Sequence, residues 1–316
     1  MLYLSKTNGI YMILTVTLNA SMDKKYVIDK IEYDEVNRIK EVENSAGGKG
    51  LNVSRVLKIT GSNVIATGFV GGHIGDYIID SLNKYEIKND FVKVKDESRC
   101  CINLINLSDM SQTEYLEPGF ILDEDDINRF IEKYNSLLDL SDIVILSGSA
   151  PKGAPKDIYK TLVEIANNKN KKTILDVSGE YLKYGILAKP YAIKPNKKEL
   201  EDLVQKKINN FDDLKEIANT IILKGIDVCL VSCGAEGIYA FTKEETYFKK
   251  APKINLKNAT GSGDSSVAGF ASGLEQNLSI DESLKLAVAY GSANAMEDKT
   301  GFVSPEVIEE LLKKIE

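Results

Sequence analysis

The stretch Asn258-Ala-Thr-Gly-Ser-Gly-Asp264, continued by Ser265-Ser-Val-Ala-Gly-Phe-Ala-Ser-Gly-Leu274, decides how the rest of the chain is read. Gly261 and Gly263 allow a turn at φ > 0 and let backbone come close to a ligand. The small residues after it, Val267, Ala268, Gly269, Ala271, Ser272 and Gly273, predict a tightly packed helix. A helix start offers N–H groups without intrahelical partners and a partial positive charge, and both favour an anion. The N–H groups of the turn could hold the charge on a moving phosphoryl group while Asp264, in the first helical turn, accepts the proton of an attacking alcohol. The same residues also read as a plain tight turn with Asp264 capping the helix, because short glycine motifs recur by chance. The choice falls to the rest of the chain.

At 316 residues the chain can bury a large core, as one big α/β domain or two smaller ones. Its 43% hydrophobic and 28% charged content is that of an ordinary globular protein. A net charge of −7 argues against nucleic acid and anionic membranes as partners, without excluding a nucleotide. Four cysteines (Cys100, Cys101, Cys229 and Cys233) lack zinc-site spacing, which points to a reduced, cytoplasmic setting. The single histidine, His73, makes Ser-His-Asp or Cys-His chemistry improbable. No run approaches ~18 apolar residues, so no membrane span is expected. Residues 1–11 lack the basic-then-apolar order of a signal peptide and read as an N-terminal extension to a domain over 12–316.

Met12-Ile-Leu-Thr-Val-Thr-Leu18 predicts a buried strand ending in the polar cluster Asn19-Ala-Ser-Met-Asp23, where open α/β sheets bind ligands. Tyr26–Ile31 and Asn37–Glu43 alternate apolar and charged residues and predict half-buried strands. Ser45-Ala-Gly-Gly-Lys-Gly-Leu-Asn52 comes next, then an amphipathic helix with Val53, Val56 and Leu57 on one face. Gly47 and Gly48 allow close backbone approach, and Asn52 offers a donor and an acceptor to sugar hydroxyls. This is no Walker A loop, since Gly50 stands where Ser or Thr must follow the lysine, and a plain glycine-rich turn is the alternative. Val64–Val70 predicts a second strand, with a helix running to about Lys84. Residues 91–117 again read as short strands and, with 24–43, predict a small sheet apart from the main one. Arg99 at its start is either a phosphate fork or a solvated surface arginine.

From residue 125 helices (125–138, 155–168, 212–224) alternate with apolar strands (Ile143–Ser149, Thr173–Val177, Tyr191–Lys194, Val228–Ser232). That alternation predicts a parallel sheet covered on both faces, with right-handed crossovers. The strand ends Ser147-Gly-Ser149, Asp176, Lys194-Pro-Asn196 and Ser232-Cys-Gly234 would then share one sheet edge. Asn196 and Glu199 open a helix, where the glutamate either compensates the helix dipole or serves as an outer-sphere partner of Mg²⁺. Ser232-Cys-Gly-Ala-Glu-Gly237 could approach a nucleotide's phosphates or ribose. Helix 281–296, with Ala287, Gly291, Ser292, Ala293, Asn294 and Ala295, packs the core or leaves a slot for a flat ring, packing being the default. A dehydrogenase fits poorly, because no G-x-G-x-x-G follows the first strand.

From about Met12 to the C-terminus the chain resembles the ribokinase-like sugar kinases of the PfkB family. Its two signatures stand as Ala46-Gly-Gly-Lys-Gly-Leu-Asn52 and Asn258-Ala-Thr-Gly-Ser-Gly-Asp-Ser265, with Lys194-Pro-Asn196, Glu199 and Ser232–Gly237 in order between them. Thr17-Leu-Asn19, Asp23, Val36-Asn-Arg38, Ser98-Arg99 and Ser147-Gly-Ser149 look most like the branch of tagatose-6-phosphate kinases and 1-phosphofructokinases. Arg99-Cys-Cys-Ile-Asn-Leu-Ile, without the Arg-Ile-Asn-Val-Lys pattern, leans to the former. Ser98 in place of threonine and Ala150 in place of leucine depart from the branch, the second at the pocket wall.

The resemblance implies a three-layer αβα sandwich with a mostly parallel sheet and a small β-sheet lid, which phosphorylates a ketohexose phosphate from ATP. It implies Asp264 as base and Gly261, Ser262 and Gly263 as anion hole. Asp23, Gly47, Gly48, Asn52 and Ser149 would meet the sugar, and Arg99, Lys49 and Arg38 its existing phosphate. Lys194, Asn196, Ser232, Gly234, Gly237, Thr260 and Asn294 would serve ATP, and Glu199 and Asp176 the Mg²⁺. It further implies a monovalent cation such as K⁺ near the anion hole, and a homodimer formed through the lid strands. A non-catalytic sugar- or nucleotide-binding protein and a nucleoside or other sugar kinase are the competing readings.

Overall fold

The computed structural model describes residues 12–316, so the expected extension at 1–11 lies outside the described residues. The first third of the chain folds as β1 (Ile13–Thr17), β2 (Ser21–Ile28), β3 (Glu41–Gly47), α1 (Lys49–Ile59), β4 (Val64–Gly71) and α2 (Gly72–Lys84). Then come β5 (Lys88–Asn89), β6 (Val92–Val94), β7 (Arg99–Asn106), β8 (Ser111–Leu116), α3 (Glu124–Leu138) and β9 (Ile143–Ser147). The middle continues with α4 (Ile158–Asn168), β10 (Lys172–Asp176), α5 (Gly179–Gly185), β11 (Ala192–Ile193), α6 (Lys197–Val204) and α7 (Phe211–Ile222). Last are β12 (Val228–Ser232), β13 (Gly237–Phe241), β14 (Thr246–Lys250), α8 (Ser262–Glu275), α9 (Ile280–Ala295) and α10 (Pro305–Leu312).

The central sheet has the order β14-β13-β12-β11-β10-β9-β1-β4-β5, with β6 also on β4, and antiparallel pairing is confined to β12–β13 and β13–β14. Period-two alternation sends successive strand residues to opposite faces. Ile13 and Ile145 join a core with α1, α2, α8, α9 and α10, while Leu14, Val16 and Leu146 join one with α3, α4, α5, α6 and α7. The sheet is therefore sandwiched, as its apolar strands require. Three helices begin where side chains take up their free N–H groups: Asp123 with Asp126 at α3, Asn196 with Glu199 at α6 and Ser279 with Glu282 at α9 form reciprocal caps. The small residues of α8 serve packing. A Cβ at Gly269 would fall 2.5 Å from Leu286 O of α9, and one at Gly291 of α9 would fall 2.3 Å from Ser266 Oγ of α8.

A second sheet, in the order β3-β2-β7-β8, stands over the edge of the first. Its boundaries differ from the expected 24–43 and 91–117. Residues 29–40 form a loop rather than strand, because the Asn37 amide bonds Glu32 N–H and the Glu32 and Glu35 carbonyls, so local bonds replace a ladder. Val92–Val94 pairs with β4 and so belongs to the central sheet. α1 also starts earlier than expected and is buried along its whole length from Gly50 to Leu57, with no solvated face there.

Candidate active site

The C-terminal ends of β1, β9, β10 and β11 lie side by side, so the segments leaving these strands meet at one edge. Asp176 ends β10 opposite Ser147 of β9. It is 1% exposed, and its carboxylate pairs with Lys194 Nζ at 3.2 Å and with Lys49 Nζ at 3.5 Å. Burial alone would raise its pKa, but the two ammonium groups hold the carboxylate below its ordinary value. Lys49, expected at the sugar's existing phosphate, is thus tied to Asp176, whose charge holds it protonated against burial. Asp176, expected at Mg²⁺, faces two lysines.

α8 arrives at the same edge. Gly261 caps it at φ 83°, and a Cβ there would fall 2.7 Å from Thr300 Cγ2. The Ser262 N–H donates to Ala259 O at 3.3 Å, whereas the N–H groups of Gly261, Gly263 and Asp264 find no acceptor among the described residues. The free donors at this turn therefore include Asp264's own amide, while that of Ser262 is turned inward. A Cβ on Gly263 would lie 3.4 Å from Lys194 Nζ, which brings that cation beside the free donors. The Asp264 side chain is 7% exposed and accepts from Asn52 Nδ2 at 2.9 Å. Burial, helped by the negative charge of Asp176, pushes its pKa up to about 6, against Lys49, the Asn52 amide and Lys194.

The second sheet, expected as a lid, supplies the next residues. β2 pairs Ser21 with Arg99 and Asp23 with Cys101, so the side chains of Asp23 and Arg99 share one lid face. Asp23 accepts from Ser21 Oγ at 2.6 Å, and burial raises its pKa against that bond and against Arg99. Gly47 makes room for it, since a Cβ there would fall 2.0 Å from Asp23 Cγ. Gly48 caps α1 at φ 110° against Thr17, which brings Lys49 and Asn52 to the strand ends. Arg99 donates from Nε to Asn19 O at 3.1 Å and from Nη1 to Glu117 O at 3.4 Å, and no carboxylate pairs with it among the described residues. Arg38, in the 29–40 loop, and Ser149, after β9, are exposed and are not hydrogen-bonded to this group of residues.

On the far side, Asn196 and Glu199 satisfy each other's backbone N–H at 2.9 and 2.8 Å, so one Glu199 oxygen caps α6. Ser232 ends β12, and Gly234 sits at φ 57° facing open space. Gly237 answers a different need: a Cβ there would fall 2.1 Å from Lys249 O of β14, so the glycine permits strand pairing. Asn294, expected at the nucleotide, is wholly buried. Its Nδ2 donates to Thr260 O at 2.9 Å and its Oδ1 accepts from Gly301 N at 2.8 Å, so it holds the turn. The Thr260 N–H donates to Asn258 Oδ1 at 3.0 Å. Asn52, expected at sugar hydroxyls, is likewise engaged at both ends, by Asp264 and by Arg55. Arg55 escaped sequence reasoning. The available signal was an arginine three positions after Asn52, in a helix otherwise lined by Leu51, Val53, Val56 and Leu57.

The profile described as pfkB family carbohydrate kinase matches residues 16–306. A tagatose-6-phosphate kinase of Staphylococcus epidermidis is 41% identical over 308 residues, 96% of this chain and 99% of that protein. The structure of phosphofructokinase-2 from Escherichia coli in complex with potassium superimposes with a TM-score of 0.91 at 25% identity, covering 97% of this chain and 99% of that one. A Thermotoga maritima protein described as a possible 1-phosphofructokinase gives 0.87 at 26% identity, covering 97% and 98%.

Proposed function

The chain belongs to the pfkB family of carbohydrate kinases, and we propose that it moves the γ-phosphoryl group of ATP to a hydroxyl of a ketohexose phosphate. Tagatose 6-phosphate, giving the 1,6-bisphosphate, is the favoured acceptor, and fructose 1-phosphate is the alternative. One observation carries the reading: a buried Asp264, oriented by Asn52, stands in a turn where the N–H groups of Gly261, Gly263 and Asp264 have no acceptor among the described residues. The sugar hydroxyl gives its proton to Asp264 as its oxygen attacks the phosphorus, and the ADP oxygen leaves on the opposite side. The free N–H groups, with Lys49 and Lys194, offset the charge on the phosphoryl oxygens. Asp23 holds sugar hydroxyls, and Arg99, free of any carboxylate among the described residues, takes the acceptor's existing phosphate. Closure of the lid excludes water from the cleft, so ATP is not simply hydrolysed.

Mg²⁺ binds through few carboxylates plus water and substrate phosphates, and the Glu199 oxygen left over from capping suits that donor set better than Asp176, which two lysines claim. There it would neutralise charge on the ATP phosphates. The potassium in the E. coli relative supports a role for a monovalent cation here, and we place it near the 258–263 turn. The exposed Val42 and Tyr115 of the second sheet support a homodimer through the lid strands.

The test is product formation from ATP and Mg²⁺, with and without K⁺, offering tagatose 6-phosphate, fructose 1-phosphate, fructose 6-phosphate, adenosine and ribose to the wild type and to Asp264→Asn. One of the sugar phosphates is expected to turn over, and the variant to lose ~10²–10⁴ in rate. Three inert sugar phosphates, preference for adenosine or ribose, or a fully active variant would overturn the reading.

A further inference from the structure

A charge buried without an ion pair has a desolvation cost that must be offset by well-placed hydrogen bonds, and Arg55 is such a charge: the Asp23 carboxylate acts on it from a distance but does not bond it. It is 2% exposed on α1, and its guanidinium bonds only neutral acceptors among the described residues. Nη1 donates to Asn52 Oδ1 and to Thr300 O, each at 3.2 Å, and Nη2 to Ala46 O at 2.5 Å. The Phe302 ring lies 4.9 Å from Cζ, and that of Tyr85 5.9 Å away.

We propose that Arg55 is a positioning residue for the transfer, which locks the Asn52 carboxamide onto Asp264 and holds the Thr300-Gly301 loop against the anion-hole turn. The proposal rests on reading Asp264 as the base. A guanidinium can only donate and a carboxylate can only accept, so an amide between them has one satisfied orientation. Without Arg55 the carboxamide is free to turn its oxygen toward Asp264, which repels it. Gly301 lies directly on this pair. At φ 71° a Cβ there would fall 2.8 Å from Arg55 Nη1 and 2.9 Å from Asn52 Oδ1. From that loop the chain of bonds runs to the turn, through Gly301 N–H to Asn294 and Thr260 O, and through Asn258 Nδ2 to Thr300 Oγ1 at 3.2 Å. The Ala46 bond ties in the end of β3, next to the glycine that makes room for Asp23. One planar group thus ties together Asn52 behind the base, the Thr300-Gly301 loop behind the anion-hole turn and the end of β3. A lysine ammonium cannot span those acceptors in one plane.

Arg55→Lys, Asn52→Ala and the double variant test this, with circular dichroism to check folding and Arg55→Gln in reserve if the lysine variant does not fold. Each single variant is expected to lower kcat by about ten-fold or more while both KM values move less than about three-fold. The double variant should be no slower than the worse single, because the two act as one unit. Independently of turnover, the Asn52 side-chain amide signals of the free protein should exchange slowly with solvent in the wild type and rapidly in Arg55→Lys. Wild-type kcat in Arg55→Lys, losses that multiply in the double, or Asn52 signals untouched by the substitution would overturn the inference. A wild type inert toward every sugar phosphate would overturn the kinase reading, and the amide signals would then decide the role of Arg55 alone.

Discussion

At the scale of the residue, Asp264 is held at a cost. Its pKa stands at about 6 against an ordinary 3.8, first because it is buried and then because Asp176 is negative. Between those values the folded chain keeps a proton that the unfolded chain has released, so stability falls as pH rises from about 4 to about 6. Above about pH 6 the full cost stands, on the order of 3 kcal/mol at most. Asp264→Asn keeps an acceptor for the Asn52 amide and removes the charge. It is therefore expected to resist urea better than the wild type near pH 8, by about 1–3 kcal/mol, with the gap closing toward pH 4. Turnover should show an acid limb near pH 6, falling about ten-fold per unit below it. A stability difference that does not change with pH would contradict the buried-carboxylate account. The aspartate was legible from the sequence as a helix-start carboxylate, but its cost was not. Asn52 lies 212 positions away along the chain.

At the scale of the element, the junction of β3, Gly48 and α1 does most of the positioning. Gly47 has ordinary strand backbone and is glycine only because the Asp23 carboxyl occupies the space where a Cβ would point. Gly47→Ala must displace Asp23. Its KM for the sugar phosphate is expected to rise on the order of ten-fold, and its KM for ATP to stay nearly constant. Steady-state titration of each substrate separates the two, and equal KM changes would place the damage elsewhere. Element type and order were legible wherever periodicity ran long or caps were strong, as in α3, α9 and β12. The 29–40 loop was not, because Asn37 replaces ladder bonds with its own side chain. Gly237 shows a limit of the same kind: a glycine demanded by a neighbouring strand looks, in sequence, like one demanded by a phosphate.

At the scale of the whole molecule, the lid has two faces. One carries Asp23 and Arg99, and the other carries Tyr26, Val42, Ile102, Leu104 and Tyr115, brought together by register with the polar Lys24, Asn44 and Thr113 among them. Val42 and Tyr115 are 58% and 56% exposed, and β3 and β8 end the sheet with edges unpaired among the described residues. A small sheet with an apolar face and open edges gains by pairing with a copy of itself. Sedimentation is expected to show a dimer at micromolar concentration, and Ile102→Glu with Tyr115→Glu to yield monomers. A monomeric wild type would remove the lid pairing.

Local pattern determined much of this protein: the alternation of strand and helix, the turn at Thr260–Gly263, and the aspartate next to it. Those depend on neighbours a few residues apart, and periodicity and turn chemistry record such neighbours directly. Only the tertiary structure decided that Lys49 and Lys194 share Asp176, that Asn294 is a staple, and that a buried Arg55 stands behind the base. Each of these is a contact between distant segments, set by how helices and strands pack, and no local spacing carries it.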